Sequence, residues 1–168
     1  MNSKIRKSAP LCLLISLNRL LTGKLRFSKE YLNNSVKMEG GKLFVIFRHI
    51  TSYPLIPSDK GCVFIVSFKF AHLSYFENKI ASIIPMLLIA GFPGFAAKIY
   101  AVDPTDGYWQ GMYQWKSVEH LSEYKKSFVF RMMNRRAKQD SITSIEIDHQ
   151  NLTDLIESNR VNNSFDIS

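Results

Sequence analysis

The order in which the apolar pattern changes between Gly61 and Ile147 constrains the fold more than any other feature of the sequence. Residues 62–70 alternate with a period of two, which is typical of a strand. From residue 76 the apolar residues recur at helical spacing, and two strands, a second helix and a last strand follow. The predicted order is therefore β-α-β-β-α-β, the split β-α-β unit, in which an antiparallel sheet carries its helices on one face.

The first predicted helix has a sharp beginning and an interruption. Ser74 and Glu77 have the spacing of a capping box, in which each side chain satisfies a backbone N–H group of the other residue. Pro85 has no N–H group, so we expect a kink or a break near Ser82. The second helix is predicted over residues 118–137 as one continuous element.

The hairpin between the two helices is rich in aromatic residues. Its sequence, GFPGFAAKIYAVDPTDGYWQGMYQW, contains both tryptophans of the chain, and its PTDG loop places Asp103 opposite Tyr108. Cross-strand partners share a face of a sheet, so one face of the hairpin receives Lys98, Tyr100, Val102, Trp109, Tyr113 and Trp115. Gly111 then lies opposite Tyr100 and leaves room where a side chain would otherwise be.

Two interpretations of this aromatic face stay open. In the first, it is the core beneath the two helices. In the second, part of it lines a cavity for a flat apolar ligand, which tyrosine hydroxyl and tryptophan N–H groups would orient. The candidate ligand-binding residues on this face are Phe68, Trp109, Gly111 and Trp115.

A group that can handle a proton is also expected near this face. His72 follows the first strand of the unit and lies at the rim, while Tyr100 and Tyr113 lie on the face itself. These three residues are the candidate catalytic residues. The histidines and cysteines have none of the spacings that hold zinc, and the glycine motifs that bind phosphate or nucleotides are missing. We therefore expect no metal and no cofactor.

The net charge of +8 is concentrated at the N-terminus. Residues 1–37 contain eight basic residues and one acidic residue, whereas the remainder contains 14 basic and 13 acidic residues. A nucleic-acid groove needs a basic surface on the folded domain itself, so nucleic acid is not an expected partner. We divide the chain into a basic, partly helical extension (1–37), a strand with a proline-containing connector (38–60), the β-α-β-β-α-β domain (61–148) and a polar tail (149–168).

The N-terminal extension contains a short apolar run. The run from Leu11 to Leu17 is too short to span a bilayer, and no clear signal-peptide cleavage site follows it. The leucines instead predict a short amphipathic helix that docks on its own domain, with contact to a membrane surface as the alternative. We expect the core to fold without residues 1–37. Cys12 and Cys62 are not expected to form a disulfide, which favours the reducing cytoplasm.

Three segments resemble the dimeric α+β barrel family, in particular its YdhR-like monooxygenase group. They are FPGFAAKIYAVD after the first helix, GYWQGMYQW in the hairpin and SVEHLSEYKKS at the start of the second helix. The resemblance covers residues 61–148 and implies a ferredoxin-like α+β fold, whose sheet faces that of a second copy in a homodimer and closes a barrel. Relatives of this fold include cofactor-free oxygenases of aromatic or quinol-like substrates, haem-degrading enzymes, stress-response proteins and members with no known activity.

Two classes of function follow. The first is a cofactor-independent monooxygenase-like enzyme that binds a small apolar or aromatic ligand in a pocket of the barrel. The second is a non-enzymatic ligand-binding or interaction dimer, whose basic N-terminal segment contacts a partner or a membrane surface. Dioxygen consumption favours the first class, and saturable binding without turnover favours the second.

Overall fold

The computed structural model describes residues 8–55, 61–72 and 74–161. Residues 1–7 of the predicted basic extension, residues 56–60 of the proline-containing connector and residues 162–168 of the predicted polar tail lie outside these ranges. The helices are α1 (Ala9–Leu21), α2 (Tyr75–Ala81), α3 (Ile83–Ala90), α4 (Val118–Lys125), α5 (Phe128–Arg136) and α6 (Leu152–Asn159). The strands are β1 (Leu25–Ser28), β2 (Ser35–Lys37), β3 (Leu43–Ser52), β4 (Cys62–Phe68), β5 (Phe95–Val102), β6 (Trp109–Trp115), β7 (Thr143–Asp148) and β8 (Arg160–Val161).

The described strands form one antiparallel sheet with the order β7-β4-β6-β5-β3-β2-β8, and β1 also pairs with β3. Strands β4 to β7, with α2 to α5 between them, are the predicted β-α-β-β-α-β unit. Their order in the sheet, β7-β4-β6-β5, is that of a ferredoxin-like fold. The predicted register of the hairpin is confirmed, since the pairs are Lys98 with Tyr113, Tyr100 with Gly111, and Val102 with Trp109.

The first predicted helix begins and breaks where the sequence indicates. Ser74 N donates to Glu77 Oε2 at 2.8 Å, and Glu77 N donates to Ser74 Oγ at 3.4 Å, which completes the capping box. The break falls at Ser82, between α2 and α3. The prediction of one continuous second helix is wrong. Ser127 Oγ accepts a hydrogen bond from Phe130 N at 3.1 Å, and this cap starts α5 as a separate helix.

The helices α1 to α5 lie on one face of the sheet and bury the larger of two apolar clusters. Trp115 is fully buried in this cluster, and its ring stacks on that of Tyr124 with centroids 4.9 Å apart. Phe95 meets Trp115 edge-on at 6.0 Å. Aromatic pairs in these geometries add to the stability that their buried area supplies.

The opposite face of the sheet is covered in part by the same chain. The sheet curls into a half-barrel, and a second apolar cluster fills part of its concave side. The central strands contribute Ile65, Ile99 and Met112, and α6 contributes Leu152 and Ile156. The C-terminal segment, predicted to be a polar tail, thus contains a helix whose apolar side packs on the sheet.

The N-terminal extension belongs to both clusters. Leu25 of β1 is buried with the helices, and Val36 of β2 is buried on the concave side. Arg19 of α1 donates a hydrogen bond to the backbone oxygen of Ala90 at 2.8 Å. The structure therefore argues against our expectation that the core folds without residues 1–37.

Candidate functional site

Most of the predicted site residues meet around one void beneath the helices. We call it the Lys98 void, and it is bordered by Phe68, Lys98, Tyr100, Trp109, Gly111 and Tyr113. Its volume is about 10 Å³. One water molecule needs about 10–15 Å³ of such space, so a flat ligand does not fit. The aromatic face is packed as core in this structure, which favours the first of the two interpretations that the sequence leaves open.

The other two predicted site residues lie apart from this void. Trp115 is part of the buried aromatic stack described above. His72 is exposed in the segment after β4, where its backbone oxygen accepts a hydrogen bond from Asn78 Nδ2 at 3.1 Å. The catalytic role of His72 stays a prediction.

Burial keeps the two predicted catalytic tyrosines protonated. It is the main cause that raises the pKa of Tyr113 and that holds the pKa of Tyr100 well above its usual value. The Tyr100 hydroxyl group has no hydrogen-bond partner among the residues that the structure describes. These hydroxyl groups can donate hydrogen bonds, but they are not bases near neutral pH.

Lys98 is a member of this face that sequence reasoning did not single out as functional. Its side chain is 0% exposed, and its Nζ atom has no hydrogen-bond partner within the described ranges. The Nζ atom lies 3.9 Å from the ring centroid of Tyr100 and 4.2 Å from that of Tyr113. Burial and, to a smaller extent, Arg48 lower the pKa of Lys98 well below its usual value. The hairpin register predicts the face on which Lys98 lies. It does not predict that no acidic side chain is among the described groups that shift the pKa of Lys98.

A much larger space lies on the concave face of the sheet. This concave groove has a volume of about 680 Å³, and its border includes Phe44, Ile65, Tyr108, Ile145, Ile147 and Leu155. Pockets of roughly 300–1,000 Å³ with mainly apolar walls are typical of small-molecule sites. The predicted site residues do not border this groove.

Gln110 and Ser67 supply polar groups to the concave groove. Gln110 Nε2 donates to Ser67 Oγ at 3.0 Å, while Gln110 Oε1 is buried without a partner in the described part of the chain. At the border, Lys42 Nζ lies 3.8 Å from the ring centroid of Tyr108 and donates to Asp106 Oδ2 at 2.6 Å. The groove therefore combines mainly apolar walls with the side chains of Gln110 and the cation Lys42 at its border.

The sequence contains a weak signal for the concave groove. Alternation along the strands predicts that Ile65, Gln110 and Met112 share the face away from the helices. The groove also needs α6, which brings Leu155 to its border, and β3, which brings Phe44. These elements lie outside the β-α-β-β-α-β unit, so their positions do not follow from its pattern.

Within residues 8–55, 61–72 and 74–161, no group of His, Cys, Asp or Glu side chains is placed to hold a metal ion. No helix in these residues is long and apolar enough to cross a membrane.

Cys12 and Cys62 are buried, and burial raises the pKa of each thiol to about 11, which makes both poor nucleophiles near neutral pH.

Comparison with known proteins places the fold. No protein-family model matches the chain, and no curated protein matches it significantly. The structure is similar to that of an uncharacterised ferredoxin-fold protein of Listeria monocytogenes that is related to antibiotic biosynthesis monooxygenases. The identity is 11%, the TM-score is 0.50, and the match covers 81% of this chain and 88% of that chain. The fold is ferredoxin-like.

Two other solved structures match at similar identity. One is a major regulator of staphylococcal pathogenesis, with 11% identity, a TM-score of 0.52 and coverage of 82% of this chain and 91% of that chain. The other is a candidate monooxygenase of Fusobacterium nucleatum, with 11% identity and a TM-score of 0.47. That match covers 65% of this chain and 50% of that chain, so the present chain spans half the length of that protein. At these identities the likeness concerns the fold, on which many functions occur.

Proposed function

We propose that the protein is a cofactor-independent, monooxygenase-like protein that binds a small, flat phenol or quinol in the concave groove. The observation that carries this proposal is a groove of about 680 Å³ bordered by Gln110, whose Oε1 atom is buried and has no hydrogen-bond partner among the described residues. The ferredoxin-fold neighbour related to antibiotic biosynthesis monooxygenases is consistent with this class of function. The concave groove replaces the Lys98 void as the expected ligand site, because the void is too small for a flat ligand.

The walls and the acceptor together select the ligand. Apolar side chains such as Phe44, Ile65 and Ile147 favour an apolar body through the area that the ligand removes from water. The unpartnered Gln110 oxygen favours a ligand that carries a hydrogen-bond donor, because a buried acceptor without a donor is destabilising. A hydroxyl group on a fused aromatic ring system meets both requirements.

The proposed oxidation needs little from the protein beyond binding of the substrate. In an electron-rich phenol with a methylene group between its rings, dioxygen can convert the methylene to a carbonyl, with one oxygen atom in the carbonyl and the other in water. The groove contributes apolar walls that fix the ring, and Gln110, which borders the groove, supplies the acceptor Oε1 for the phenolic O–H. His72, Tyr100 and Tyr113 lie outside the groove, so in this proposal they have no contact with the ligand.

The test uses 1,8-dihydroxyanthrone, a flat probe with phenolic hydroxyl groups and a methylene group. We expect saturable binding and protein-dependent dioxygen uptake. Ile145, which borders the groove and is 38% exposed, is replaced by Trp to fill it. Leu14→Trp on α1 is the matched control, because Leu14 is 63% exposed and does not border the groove. Affinity should fall at least ~10-fold in Ile145→Trp, equivalent to about 1.4 kcal/mol, and stay unchanged in Leu14→Trp. Equal affinity in both variants would place the ligand elsewhere.

A non-enzymatic binding protein is the second candidate. It is favoured by the ionisable side chains at the groove: among the described residues those that line it are Lys42 and Tyr108, and the carboxylate of Asp106 beside them is already paired with Lys42. Saturable binding of the same probe without dioxygen uptake would support this candidate over the enzyme. In this second candidate function the concave groove is still the binding site.

A homodimer is part of both proposals. Strand β7 lies at one end of the sheet, and its side chains are mostly exposed, including Ile145 beside the groove. An unpaired strand edge next to an apolar surface is a common place for a second copy to pack. Light scattering should give twice the chain mass of 19.3 kDa, and a mass near 19.3 kDa would contradict the dimer.

A further inference from the structure

The outer side of α1, α2 and α3 carries large apolar side chains that are more than half exposed. They are Leu14 and Leu21 on α1, Phe76 and Ile80 on α2, and Ile84 on α3. Leu14 and Leu21 share one face of α1, and Phe76 and Ile80 share one face of α2, because residues four or seven apart lie above one another on a helix. We call these five side chains the outer helix surface.

Helix α1 lies directly against the end of α3. A Cβ atom at Gly91, which ends α3, would collide with the backbone oxygen of Cys12. Arg19 donates to the backbone oxygen of Ala90 at the same end of α3. Cys12 and Ser16 are fully buried and mark the inner side of α1. The exposed leucines of α1 therefore lie beside the exposed residues of α2 and α3, on the side of the helices that faces away from the sheet.

The sequences of α1 and α3 are not those of ordinary surface helices. Helix α3 reads IIPMLLIA and has no polar side chain, and α1 reads APLCLLISLNRLL with Arg19 as its charged residue. A helix that is apolar on all sides is normally buried on all sides. Met86 and Ile89 of α3 are buried against the sheet, but Ile84 is 63% exposed. A contiguous exposed apolar surface of this kind is typical of an interaction site.

The charges around this surface indicate an anionic partner. The sequences of α1, α2 and α3 contain one acidic residue, Glu77, whose carboxylate accepts hydrogen bonds from Ser74 at the start of α2. Basic residues flank α1 in the sequence on both sides: Lys4, Arg6, Lys7, Lys24 and Arg26. Lys24 and Arg26 are exposed. An apolar helix face with basic flanks is typical of a helix that lies in the interface of an anionic membrane.

A second copy of the chain fits this surface less well. In a symmetric dimer the same patch of both copies meets, so the basic flanks of α1 would come close to their own equivalents. Like charges that face each other across an interface are unfavourable. The head groups of an anionic membrane instead supply the opposite charge.

We propose that the protein binds the surface of an anionic lipid membrane through the outer helix surface, a property separate from ligand binding in the concave groove. The exposed apolar side chains enter the boundary between head groups and acyl chains, and the basic flanks of α1 meet the anionic head groups. The helices α1 to α3 and the groove lie on opposite faces of the sheet, so membrane contact leaves the groove uncovered.

The test is flotation of the full-length protein with lipid vesicles. We expect the protein to float with vesicles made of equal parts phosphatidylserine and phosphatidylcholine. Binding to vesicles of phosphatidylcholine alone should be at least ~10-fold weaker, because the attraction of the basic residues is then lost. Added salt should weaken binding to the mixed vesicles, since it screens the same attraction. No binding to the mixed vesicles, or equal binding to both kinds, would overturn the proposal.

Two substitutions locate the binding surface. Leu14→Glu and Ile84→Glu each place a charge in the outer helix surface, and each should weaken binding to the mixed vesicles at least ~10-fold. The matched control is Phe128→Glu on α5, because Phe128 is 57% exposed and lies outside this surface. It adds the same charge and should bind like the wild type. Thermal melting checks the fold of all three variants, which such exposed sites rarely disturb. If Leu14→Glu and Ile84→Glu bound as well as Phe128→Glu, the outer helix surface would be excluded as the membrane contact.

Light scattering tests for a second copy as the competing occupant. If two copies met through the outer helix surface, Leu14→Glu would lower the measured mass and the wild-type protein would not float with vesicles. That result would overturn the proposal. A mass that Leu14→Glu leaves unchanged, together with its loss of vesicle binding, would support contact with the membrane.

Discussion

The Nζ atom of Lys98 lies 3.9 Å from the ring centroid of Tyr100, two residues along the same face of β5. A protonated amine at this distance gains a cation–π attraction, whereas burial favours the neutral amine. Burial is the larger influence, and the pKa of Lys98 is lowered. The chain thus keeps a destabilising polar group in the centre of its larger apolar cluster.

Replacing Lys98 by Met is expected to stabilise the protein by about 1–3 kcal/mol, because it removes a buried polar group that has no hydrogen-bond partner in the part of the chain that the structure describes. The folded-state pKa of Lys98 is below the unfolded-state pKa, so the unfolded chain binds the proton more tightly. The wild-type protein therefore loses stability as pH falls through the interval between these two values. Thermal melts at about pH 7 and about pH 10 should show a larger gain for Lys98→Met at the lower pH. A lower melting temperature in the variant would contradict this account.

Replacing Trp115 by Ala is expected to lower the free energy of unfolding by about 3–5 kcal/mol. Trp115 is 0% exposed and stacks on Tyr124, so its removal leaves a cavity between the sheet and α4. Urea denaturation measures the loss. Phe76→Ala on α2 is the matched control, since Phe76 is 67% exposed, and it should change stability by less than about 0.5 kcal/mol. Similar losses in the two variants would rule out the stacking as the cause.

Gly111→Ala is expected to lower the free energy of unfolding by about 1–3 kcal/mol, because it overpacks the core. The added Cβ atom would lie 2.9 Å from Cε2 of Tyr113, which has packed neighbours of its own. The same substitution in a Tyr113→Leu background should be less harmful, since the ring that it meets is gone. A double-mutant cycle measured by urea denaturation checks this coupling. An additive result would mean that the ring does not limit the space.

Stability is expected to fall in acid through His49. Burial lowers the pKa of His49 to about 4, so the folded protein keeps this ring neutral at pH values where the unfolded chain protonates it. Below the unfolded-state pKa of about 6.5, protonation of His49 therefore stabilises the unfolded state. The free energy of unfolding falls by up to about 3 kcal/mol as the pH drops from there to the folded-state pKa. His49→Phe should flatten the dependence of unfolding free energy on pH in this interval. If the unfolding free energy of the variant falls with pH as steeply as that of the wild type, the acid sensitivity comes from other groups.

Removal of residues 1–37 is expected to abolish cooperative unfolding. This deletion takes away β1 and β2, which pair with β3, and with them the buried side chains of Leu25 and Val36. Truncating Leu25 alone to Ala should cost about 2–5 kcal/mol, and Leu21→Ala, at a site that is 89% exposed, is its control. A cooperative melt of the shortened chain would restore the view that the extension is dispensable.

The β-α-β-β-α-β unit could be predicted from the sequence because local rules determine it. The PTDG loop fixes the pairing of Tyr100 with Gly111, and Pro85 accounts for the break at Ser82. The break at Ser127 was missed because a single serine side chain, which competes for a backbone N–H group, leaves the apolar period intact.

The candidate site was predicted less well than the fold. The sequence placed Lys98 and Tyr100 on one face, but it could not show that this face is filled to within one water molecule. The concave groove depends on residues that are distant in sequence, such as Phe44 and Leu155. Long-range arrangement of this kind follows from the curl of the sheet and not from any one segment.

The pairing of β2 with β8 has a consequence for the order in which the molecule is made. Val36 pairs with Arg160, more than 120 positions later in the chain, and α6 precedes β8 directly. During synthesis the ribosome releases residues from the N-terminus onward, so the concave side stays uncovered while the rest of the sheet can already assemble. The apolar concave side is then open to chaperones or to other nascent chains, until α6 and β8 emerge and cover part of it.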